Sequence, residues 1–514
     1  MKRAAAAAIF LAFSMKIMAS ASTVGDSTAQ TRQVLMKCID SMGALDRLQN
    51  VKVLSYQSLS HTFLHSVSMS DSLPALFAYE TNEVVLQPQR QIVKDISHWQ
   101  WTESAITSTS EFVIGPEGGL VESNGKRTPV TADKFYEAVD MLAANPISAL
   151  VSASNATDLE LLQPSHETYE ISFLQTVYGQ RVKTTLGIDK RSYALQWIEI
   201  RHTYSQDVYG SMWGETAKRF VYSSWFLDSS GLYFPTKWKV STNGEEDGQV
   251  SLLDVKINSD LPVTSDIPDE FKDSFRTFLH LSAEDLAKRN LKNGDHLDVQ
   301  HGIVMLPGKE GAYNSLIVKQ DKGILIVEAP YSSANSEEVV AYIHSAFPNA
   351  PILGIVSSDF YWFHIAGLPT YAKARIPIYV LDANVDRVRR LLSSPVPGSG
   401  AHGSGPLLRT VQRRTEIGTG MNRMILLPFR GAASAKMMAV YFPERKLLYC
   451  SDLYLPVAWA HQYWVEHLSE ILDLIEREHI DVQQITGVSM PPHGWKELSA
   501  SIPPRVAGRM GRQP

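Results

Sequence analysis

PILGIVSSDFYWFHIAGLPTY, residues Pro351 to Tyr371, is the stretch that decides how the second half of the chain folds. An apolar run from Ile352 to Val356 is typical of a buried strand, and polar and aromatic residues follow it. These residues include an acid, Asp359, and an imidazole, His364, ahead of a helix that we expect to start after Gly367. Strand ends of α/β layer proteins commonly carry functional residues, so this loop is the first candidate for a functional site.

Strand and helix patterns alternate on both sides of this stretch, from about Val299 to Val488. Short apolar runs predict strands, and longer runs predict helices, the first of which has Asn335 and Glu338 at the spacing of a capping box. Such alternation predicts an α/β layered domain. The predicted strands besides Ile352 to Val356 are Ile303 to Leu306, Ser315 to Lys319, Gly323 to Glu328, Ile376 to Leu381, Met424 to Pro428, Met437 to Phe442, Lys446 to Cys450 and Ile485 to Val488, and further helices are Val385 to Leu392 and Ala460 to Glu478.

A different pattern fills residues 22–290. A helix from Gln30 to Asn50, broken around Gly43, precedes short runs that are rich in β-branched and aromatic residues. Turn clusters separate these runs, and one helical patch, Thr131 to Leu142, interrupts them, so we expect a meandering antiparallel sheet. The predicted strands are Val51 to Leu59, Arg90 to Trp101, Tyr169 to Phe173, Arg181 to Ile188, Leu195 to His202, Arg219 to Trp225, Tyr233 to Val240 and Val250 to Ile257.

A helix with a long curved antiparallel sheet resembles the half-barrel of periplasmic lipoprotein-carrier proteins. That resemblance of pattern implies a concave face that holds an apolar, small-molecule or lipid-like ligand. Aromatic residues are also standard strand residues, so the tryptophans of this region could equally fill the core. They are Trp99, Trp101, Trp197, Trp213, Trp225 and Trp238.

The totals limit the class of protein. A chain of 514 residues is long enough for two or three domains. The 48 lysines and arginines against 54 acidic residues give a formal charge of -6, and no basic stripe indicates a nucleic-acid partner. The two cysteines, Cys38 and Cys450, exclude a disulfide-stapled framework; one long-range disulfide or two buried thiols are both open.

The first residues have the pattern of an export signal. Lys2 and Arg3 precede an apolar run from Ala4 to Phe13, and a small-residue cleavage site ends at Ala21. The run is shorter than the roughly 20 residues of a membrane-spanning helix, so we expect residues 1–21 to be removed and no stable membrane anchor to remain. The protein is then periplasmic or secreted; an uncleaved N-terminal anchor is the alternative. Residues 503–514 are predicted to be a disordered tail.

Several motifs in the second half occur in a characteristic order. Tyr313-Asn314-Ser315 precedes two predicted strands, the second of which ends in Val327-Glu328-Ala329-Pro330. The loop with Asp359 and His364 follows, then Gly367-Leu368, a strand that ends in Ser451-Asp452, and a last strand followed by Pro492-His493-Gly494. In this order the motifs resemble the metallo-β-lactamase fold superfamily over about Val299 to Ile502. The resemblance implies an αββα sandwich for residues 291–502.

Proteins of this superfamily bind two zinc ions, with an HxHxDH loop, a further histidine, a bridging aspartate and a last histidine as ligands. Here the six loop positions read Asp359-Phe360-Tyr361-Trp362-Phe363-His364, so only the last histidine is kept. The further histidine falls near Arg430, a fixed positive charge, whereas the bridging aspartate matches Asp452 and the last histidine matches His493. The resemblance therefore implies that one of the two metal sites is lost.

Two interpretations of the remaining residues are open. In the first, His364, Asp452 and His493 bind one zinc, iron or manganese ion, Asp359 adds an oxygen ligand or a proton acceptor, and the protein is a hydrolase in which Asp359 and Asp452 are catalytic. In the second, these residues are remnants in which His364 bonds to Asp452, and the domain binds a ligand or partner without catalysis. A serine hydrolase is not supported, because the chain has no GxSxG motif.

Overall fold

The structure is a computed structural model that describes residues 29–63, 76–101, 107–162, 166–202, 216–242, 244–259, 267–272, 297–307, 313–330, 333–393, 407–431, 434–453 and 465–500. The predicted signal peptide, the boundary near residue 290 and the predicted tail lie outside these ranges. The chain divides into two compact units, with most described residues before 273 in the first and those from 297 onward in the second. No helix within the described ranges has both the length and the apolar character needed to cross a membrane.

The first unit begins with the predicted broken helix. Helix α1 covers residues 29–41 and α2 covers Leu45–Gln49, and Gly43 lies between them with a φ of 121°. A Cβ at this position would lie 2.5 Å from the carbonyl oxygen of Gly231, so both the backbone angle and the close approach require glycine. The break was predictable because glycine is the residue that tolerates this conformation.

One sheet of thirteen strands forms most of the first unit, in the order β6-β5-β4-β3-β2-β1-β13-β12-β11-β10-β9-β8-β7. All eight predicted strands are present in it, and five further strands complete it. One of these, Thr107–Gly115, was missed because its first four residues are polar. The strands are β1 (Leu54–Phe63), β2 (Leu76–Gln87), β3 (Ile92–Trp101), β4 (Thr107–Gly115), β5 (Gly118–Ser123), β6 (Lys126–Pro129), β7 (Glu160–Leu161), β8 (Thr168–Val177), β9 (Gln180–Asp189), β10 (Leu195–His202), β11 (Thr216–Leu227), β12 (Tyr233–Thr242) and β13 (Glu245–Ile257).

Helices α3 (Ala132–Ala143) and α4 (Pro146–Asn155) interrupt the sheet, where the sequence predicted one helix. The second begins at Asn145, whose side chain accepts hydrogen bonds from the backbone of Ile147 and Ser148 at 3.0 and 3.3 Å. Helix α3 contacts β3 and β4 and also β8 and β9, strands far apart in the sheet order. The sheet therefore curves around this helix. The resemblance to lipoprotein carriers stays a prediction.

The tryptophan of β10 shows how aromatic residues are used in this sheet. Trp197 is buried and packs on Gly187 of β9, where a Cβ would lie 2.0 Å from the indole ring. The guanidinium carbon of Arg219 lies 4.0 Å from the ring centroid. Trp197 therefore fills the core and does not line an apolar groove. Trp213, another of the candidates for an apolar groove, lies outside the described residues.

The second unit contains two sheets. The first has the order β14-β15-β16-β17-β18-β19-β20 and is parallel from β17 to β20; the second has the order β21-β22-β23-β24-β25-β26. Its strands are β14 (Leu297–Gln300), β15 (Ile303–Leu306), β16 (Ser315–Gln320), β17 (Gly323–Val327), β18 (Ile352–Ser357), β19 (Ile378–Leu381), β20 (Leu408–Val411), β21 (Thr415–Ile417), β22 (Met424–Pro428), β23 (Met438–Phe442), β24 (Leu447–Tyr449), β25 (Gln484–Gly487) and β26 (Met490–Gly494).

Three apolar clusters hold these sheets and their helices together. The first lies between the two sheets and includes side chains of both, such as Val327, Val356, Val440 and Tyr449. The second packs helices on the outer face of the first sheet, and the third packs helices on the outer face of the second. The helices are α5 (Ser333–Ala346), α6 (Trp362–Ile365), α7 (Leu368–Lys373), α8 (Val385–Ser393), α9 (Val465–Glu478) and α10 (Trp495–Ala500).

Two local predictions need correction. The capping box at Asn335 and Glu338 is wrong, because α5 already begins at Ser333 and the Asn335 side chain instead donates to the carbonyl of Pro330 at 3.2 Å. The sequence also predicted no strand after β25, whereas β26 forms a short antiparallel pair with it and carries His493. Cys38 and Cys450 are free and buried, so the interpretation as two buried thiols applies.

Candidate metal centre

His364 lies at the centre of the site, in the single turn α6 that follows β18. Its side chain is fully buried, and both ring nitrogens contact carboxylates. Nδ1 is 2.9 Å from Oε2 of Glu328, and Nε2 is 2.9 Å from Oδ2 of Asp452. Burial alone lowers the pKa of His364, but the two carboxylates raise it well above its usual value. The two carboxylates therefore favour the protonated imidazole over the neutral one when no metal ion is bound.

Glu328 occupies the first position after β17 and has a left-handed backbone, with a φ of 74°. This conformation is uncommon for a residue with a side chain and is often found at functional sites. It accompanies a fully buried carboxylate that contacts His364 through Oε2 and accepts hydrogen bonds from the backbone N–H and the hydroxyl of Ser358 through Oε1. Glu328 thus holds the histidine and the start of the loop after β18 together.

A ring of contacts includes these residues. The hydroxyl of Ser358 lies 2.7 Å from that of Ser451, which follows β24 by two residues and also has a positive φ, of 53°. Ser451 is the chain neighbour of Asp452, which contacts His364. The ring therefore joins the ends of β17 and β18 in one sheet to the end of β24 in the other.

Asp359 has one satisfied oxygen and one unsatisfied oxygen. Oδ1 accepts backbone hydrogen bonds from Phe360 at 2.5 Å and Tyr361 at 3.0 Å. Oδ2 is buried and has no hydrogen-bond partner among the described residues. Burial, with a contribution from the Asp452 carboxylate, raises the pKa of Asp359 to about 7, although the nearby His364 opposes the rise. A buried oxygen without a hydrogen-bond partner destabilises the folded state. A proton or a cation at Oδ2 would remove this penalty.

Asp359, His364 and Asp452 form the one group in the described part of the chain whose ligand atoms are close enough to share a metal ion, all within 4.8 Å of one another. Asp452 contributes a second buried oxygen without a partner, Oδ1. Of the residues predicted for the site, the structure thus brings three together.

His493 and Arg430 are placed elsewhere. His493 is exposed on β26, and its Nδ1 lies 2.8 Å from the carbonyl oxygen of Pro491. It is not part of the group of three. Arg430 is also exposed. Ligation of a metal by His493 stays a prediction.

The donor set fits a single divalent ion. When Nδ1 of His364 donates its proton to Glu328, Nε2 is left as the ligating nitrogen, and a carboxylate behind a histidine ligand is a common arrangement in metal sites. One imidazole and two carboxylates suit zinc, iron or manganese. The unpartnered oxygens of Asp359 and Asp452 are the observation that supports this fit, because an ion would satisfy both.

Sequence reasoning overlooked the supporting residues Glu328, Ser358 and Ser451. A signal existed for Glu328, since it is an acid directly at the end of an otherwise apolar run, Gly323 to Val327. No comparable signal existed for the two serines, because serine is common at strand ends and turns.

No family model matches this chain, and no curated protein sequence matches it. Solved structures of the metallo-β-lactamase fold and of an alkylsulfatase are its structural neighbours. The stereoselective inverting sec-alkylsulfatase Pisa1 from Pseudomonas sp. is 12% identical with a TM-score of 0.31, and the match covers 40% of each chain. The match thus spans less than half of the sulfatase.

Two metallo-β-lactamases match over most of their own length. DIM-1 metallo-β-lactamase is 16% identical, and the match covers 40% of this chain and 93% of that one, with a TM-score of 0.31. The metallo-β-lactamase from Pontibacter korlensis is 14% identical over 40% of this chain and 96% of its own, again with a TM-score of 0.31.

Proposed function

We propose that the second unit is a divergent metallo-β-lactamase-like αββα domain that binds one divalent metal ion through Asp359, His364 and Asp452. We further propose that the protein is an exported metal-dependent hydrolase, with zinc as the leading candidate ion. The observation that supports this proposal best is the approach of three ligand atoms within 4.8 Å, two of them from carboxylates that each keep one buried oxygen without a partner.

The residues of the site have separable roles in this proposal. When bound, the ion would lower the pKa of a coordinated water and polarise the bond under attack. Glu328 fixes the orientation of His364 through Nδ1. Asp359 binds the ion through Oδ2, the oxygen without a partner, while two backbone N–H groups hold Oδ1 in place. Asp452, with a side chain that is 16% exposed, is the member nearest to solvent and therefore to a substrate.

A second candidate is a non-catalytic domain that binds a ligand or partner. The observation that favours it is the double contact of His364, because a protonated imidazole between Glu328 and Asp452 already satisfies both of its nitrogens. In that case the ring of contacts fastens the two sheets and no ion is needed.

Metal content separates the two candidates. The full chain would be purified without chelator, and zinc, iron and manganese would be measured by mass spectrometry for the native protein, for His364→Ala and for His344→Ala. His344 is an exposed histidine of α5 and serves as the matched control. We expect about one ion per chain in the native protein and the control, and a loss of the ion in His364→Ala.

Activity requires a second measurement. The metal-loaded protein would be assayed on esters, lactams, phosphodiesters and sulfate esters, with the Asp359→Asn variant alongside. Hydrolysis that disappears in His364→Ala supports the enzyme. An absence of stoichiometric metal in the native protein, even after incubation with zinc, would overturn the metal centre and leave the non-catalytic candidate.

A further inference from the structure

The two ends of α3 in the first unit are attached to the sheet in different ways. The C-terminal end is fixed by an ion pair and by two side-chain hydrogen bonds to backbone carbonyls. These contacts connect Lys218 to Asp140, Gln175 to Ala143 and Tyr222 to Ala144, the first at 2.6 Å and the second at 2.9 Å. None of these three contacts involves Asp95 or another residue of β3.

The N-terminal half of α3 faces acids of the sheet. Asp95 on β3 is fully buried, and the side-chain amide nitrogen of Asn82 lies 3.2 and 3.4 Å from its two oxygens. The same nitrogen lies 3.1 Å from Oε1 of Glu80. One amide group therefore serves two carboxyl groups, which is fewer donors than two ionised carboxylates need.

Charged and titratable groups reach Asp95 from three elements. Tyr56 approaches from β1, Glu80 from β2, and Lys134 and Glu137 from α3, where the last two form an ion pair of 2.7 Å. On β4 the residue opposite Asp95 is the uncharged Phe112. One ammonium thus faces three carboxyl groups.

This imbalance favours a proton on Asp95. Burial, with contributions from Glu137 and Glu80, raises the pKa of Asp95 to about 8, although Lys134 and the Asn82 amide oppose the rise. These residues are not within the range of a shared metal ion, since the described residues contain such a group only in the second unit. Lys134 is the cation of this cluster.

We propose that the proton of Asp95 is a pH-sensitive clamp that holds the N-terminal half of α3 against the sheet. Loss of this proton releases that half, whereas the C-terminal end stays attached through Asp140, Ala143 and Ala144. The released half exposes the buried polar face of β3 around Asp95 and Ser97. This clamp lies in the first unit, and the proposal does not depend on the metal centre proposed for the second unit.

The size of the effect follows from proton linkage. When the helix half lifts and water enters, Asp95 returns to its ordinary pKa of 3.8, against about 8 in the closed state. The opening equilibrium constant then rises about tenfold per pH unit between these two values and levels off above the higher one. The open form is therefore favoured as the pH rises from acidic to weakly alkaline.

Hydrogen–deuterium exchange of the full chain tests the clamp. Exchange rates would be measured at several pH values from about 5 to about 8 and divided by the intrinsic rate at each pH. We expect the corrected rates of amides 135–139 to rise about tenfold per pH unit, and those of amides 141–144 to stay constant. The Asn side chain of Asp95→Asn does not titrate. In this variant the corrected exchange rates of both groups of amides should therefore be independent of pH.

Asp254→Asn, at an exposed acid of β13, is the matched control and should keep the native pH dependence. In the native protein, corrected exchange rates that rise equally with pH at both ends of α3, or that do not change with pH at either end, would overturn the clamp. This result does not require the Asp95→Asn variant to fold. A native slope that persists in a folded Asp95→Asn would overturn it as well.

Discussion

Oε2 of Glu328 lies 2.9 Å from Nδ1 of His364, so a strand-end carboxylate fixes the imidazole from the side opposite Asp452. Both residues are fully buried, and Glu328 has a positive φ. The contact determines which nitrogen of His364 is free to act, because the nitrogen that donates to Glu328 cannot also bind a metal ion. The properties of the site thus depend on a residue outside the group of three.

Replacement of Glu328 by glutamine should weaken zinc binding by about 10- to 100-fold. The amide loses the negative charge behind His364 and cannot accept from Ser358 with one oxygen while it accepts from the histidine with the other. Competition with a coloured chelator would measure the affinity. Glu337→Gln, an exposed change on α5, is the control, and equal affinities for the two variants would refute this role of Glu328.

His493→Ala should leave zinc affinity within about twofold of the native value, because this histidine is exposed and outside the group of three. His364→Ala should lose most of the affinity, because it removes the nitrogen ligand. The same chelator competition measures both variants. A large loss in His493→Ala would restore the ligand set predicted from the sequence.

Gly187→Ala should destabilise the first unit by about 1–3 kcal/mol, because the added Cβ would overlap the buried ring of Trp197. Gly115→Ala is the matched control, since its Cβ would meet only a methylene of Ile92, at an ordinary 3.6 Å. Unfolding in urea, followed by tryptophan fluorescence, measures the difference. If both variants unfold at the same urea concentration, the ring of Trp197 can shift to make space for the added Cβ, and the prediction is wrong.

Asp95→Asn should change the pH dependence of global stability. The folded-state pKa of Asp95 is raised from 3.8 to about 8, so its contribution is fully present at acidic pH and is lost as the pH rises to about 8. The loss amounts to at most about 1.4 kcal/mol per pH unit. Urea unfolding of the native protein and the variant would be compared at acidic and at weakly alkaline pH. The variant should lack this decline, and a decline of the same size in both would contradict the assignment.

Most described strands of the second unit could be predicted from sequence, because strands such as β15, β17 and β22 are almost wholly buried and consist of continuous apolar runs. Ile303–Leu306 and Met424–Pro428 were predicted with the bounds that the structure shows. Asp359 and His364 both lie in the segment that directly follows β18, so their proximity in the sequence already brings them near each other in the fold.

The remainder of the site could not be predicted for physical reasons. The backbone angle of Glu328 arises only in the folded chain, and a single acid at a strand end has many possible partners. The pairing of β25 with β26 shifts between Ile485 and Gly487, and a shift by one residue changes which face a side chain occupies. The orientation of His493 therefore depends on a register shift that cannot be read from the sequence.

The contacts that start at Ser451 pass through Ser358, Glu328 and His364 and return to Asp452, its neighbour in the chain. Because this path closes through the backbone, the replacement of Ser358, Glu328 or His364 removes a partner from two other members, and the replacement of Ser451 or Asp452 removes a partner from one. We therefore expect substitutions at these five positions to be coupled during evolution. Related chains should either keep the whole set or replace several members at once, so that covariation among homologues would reveal the ring.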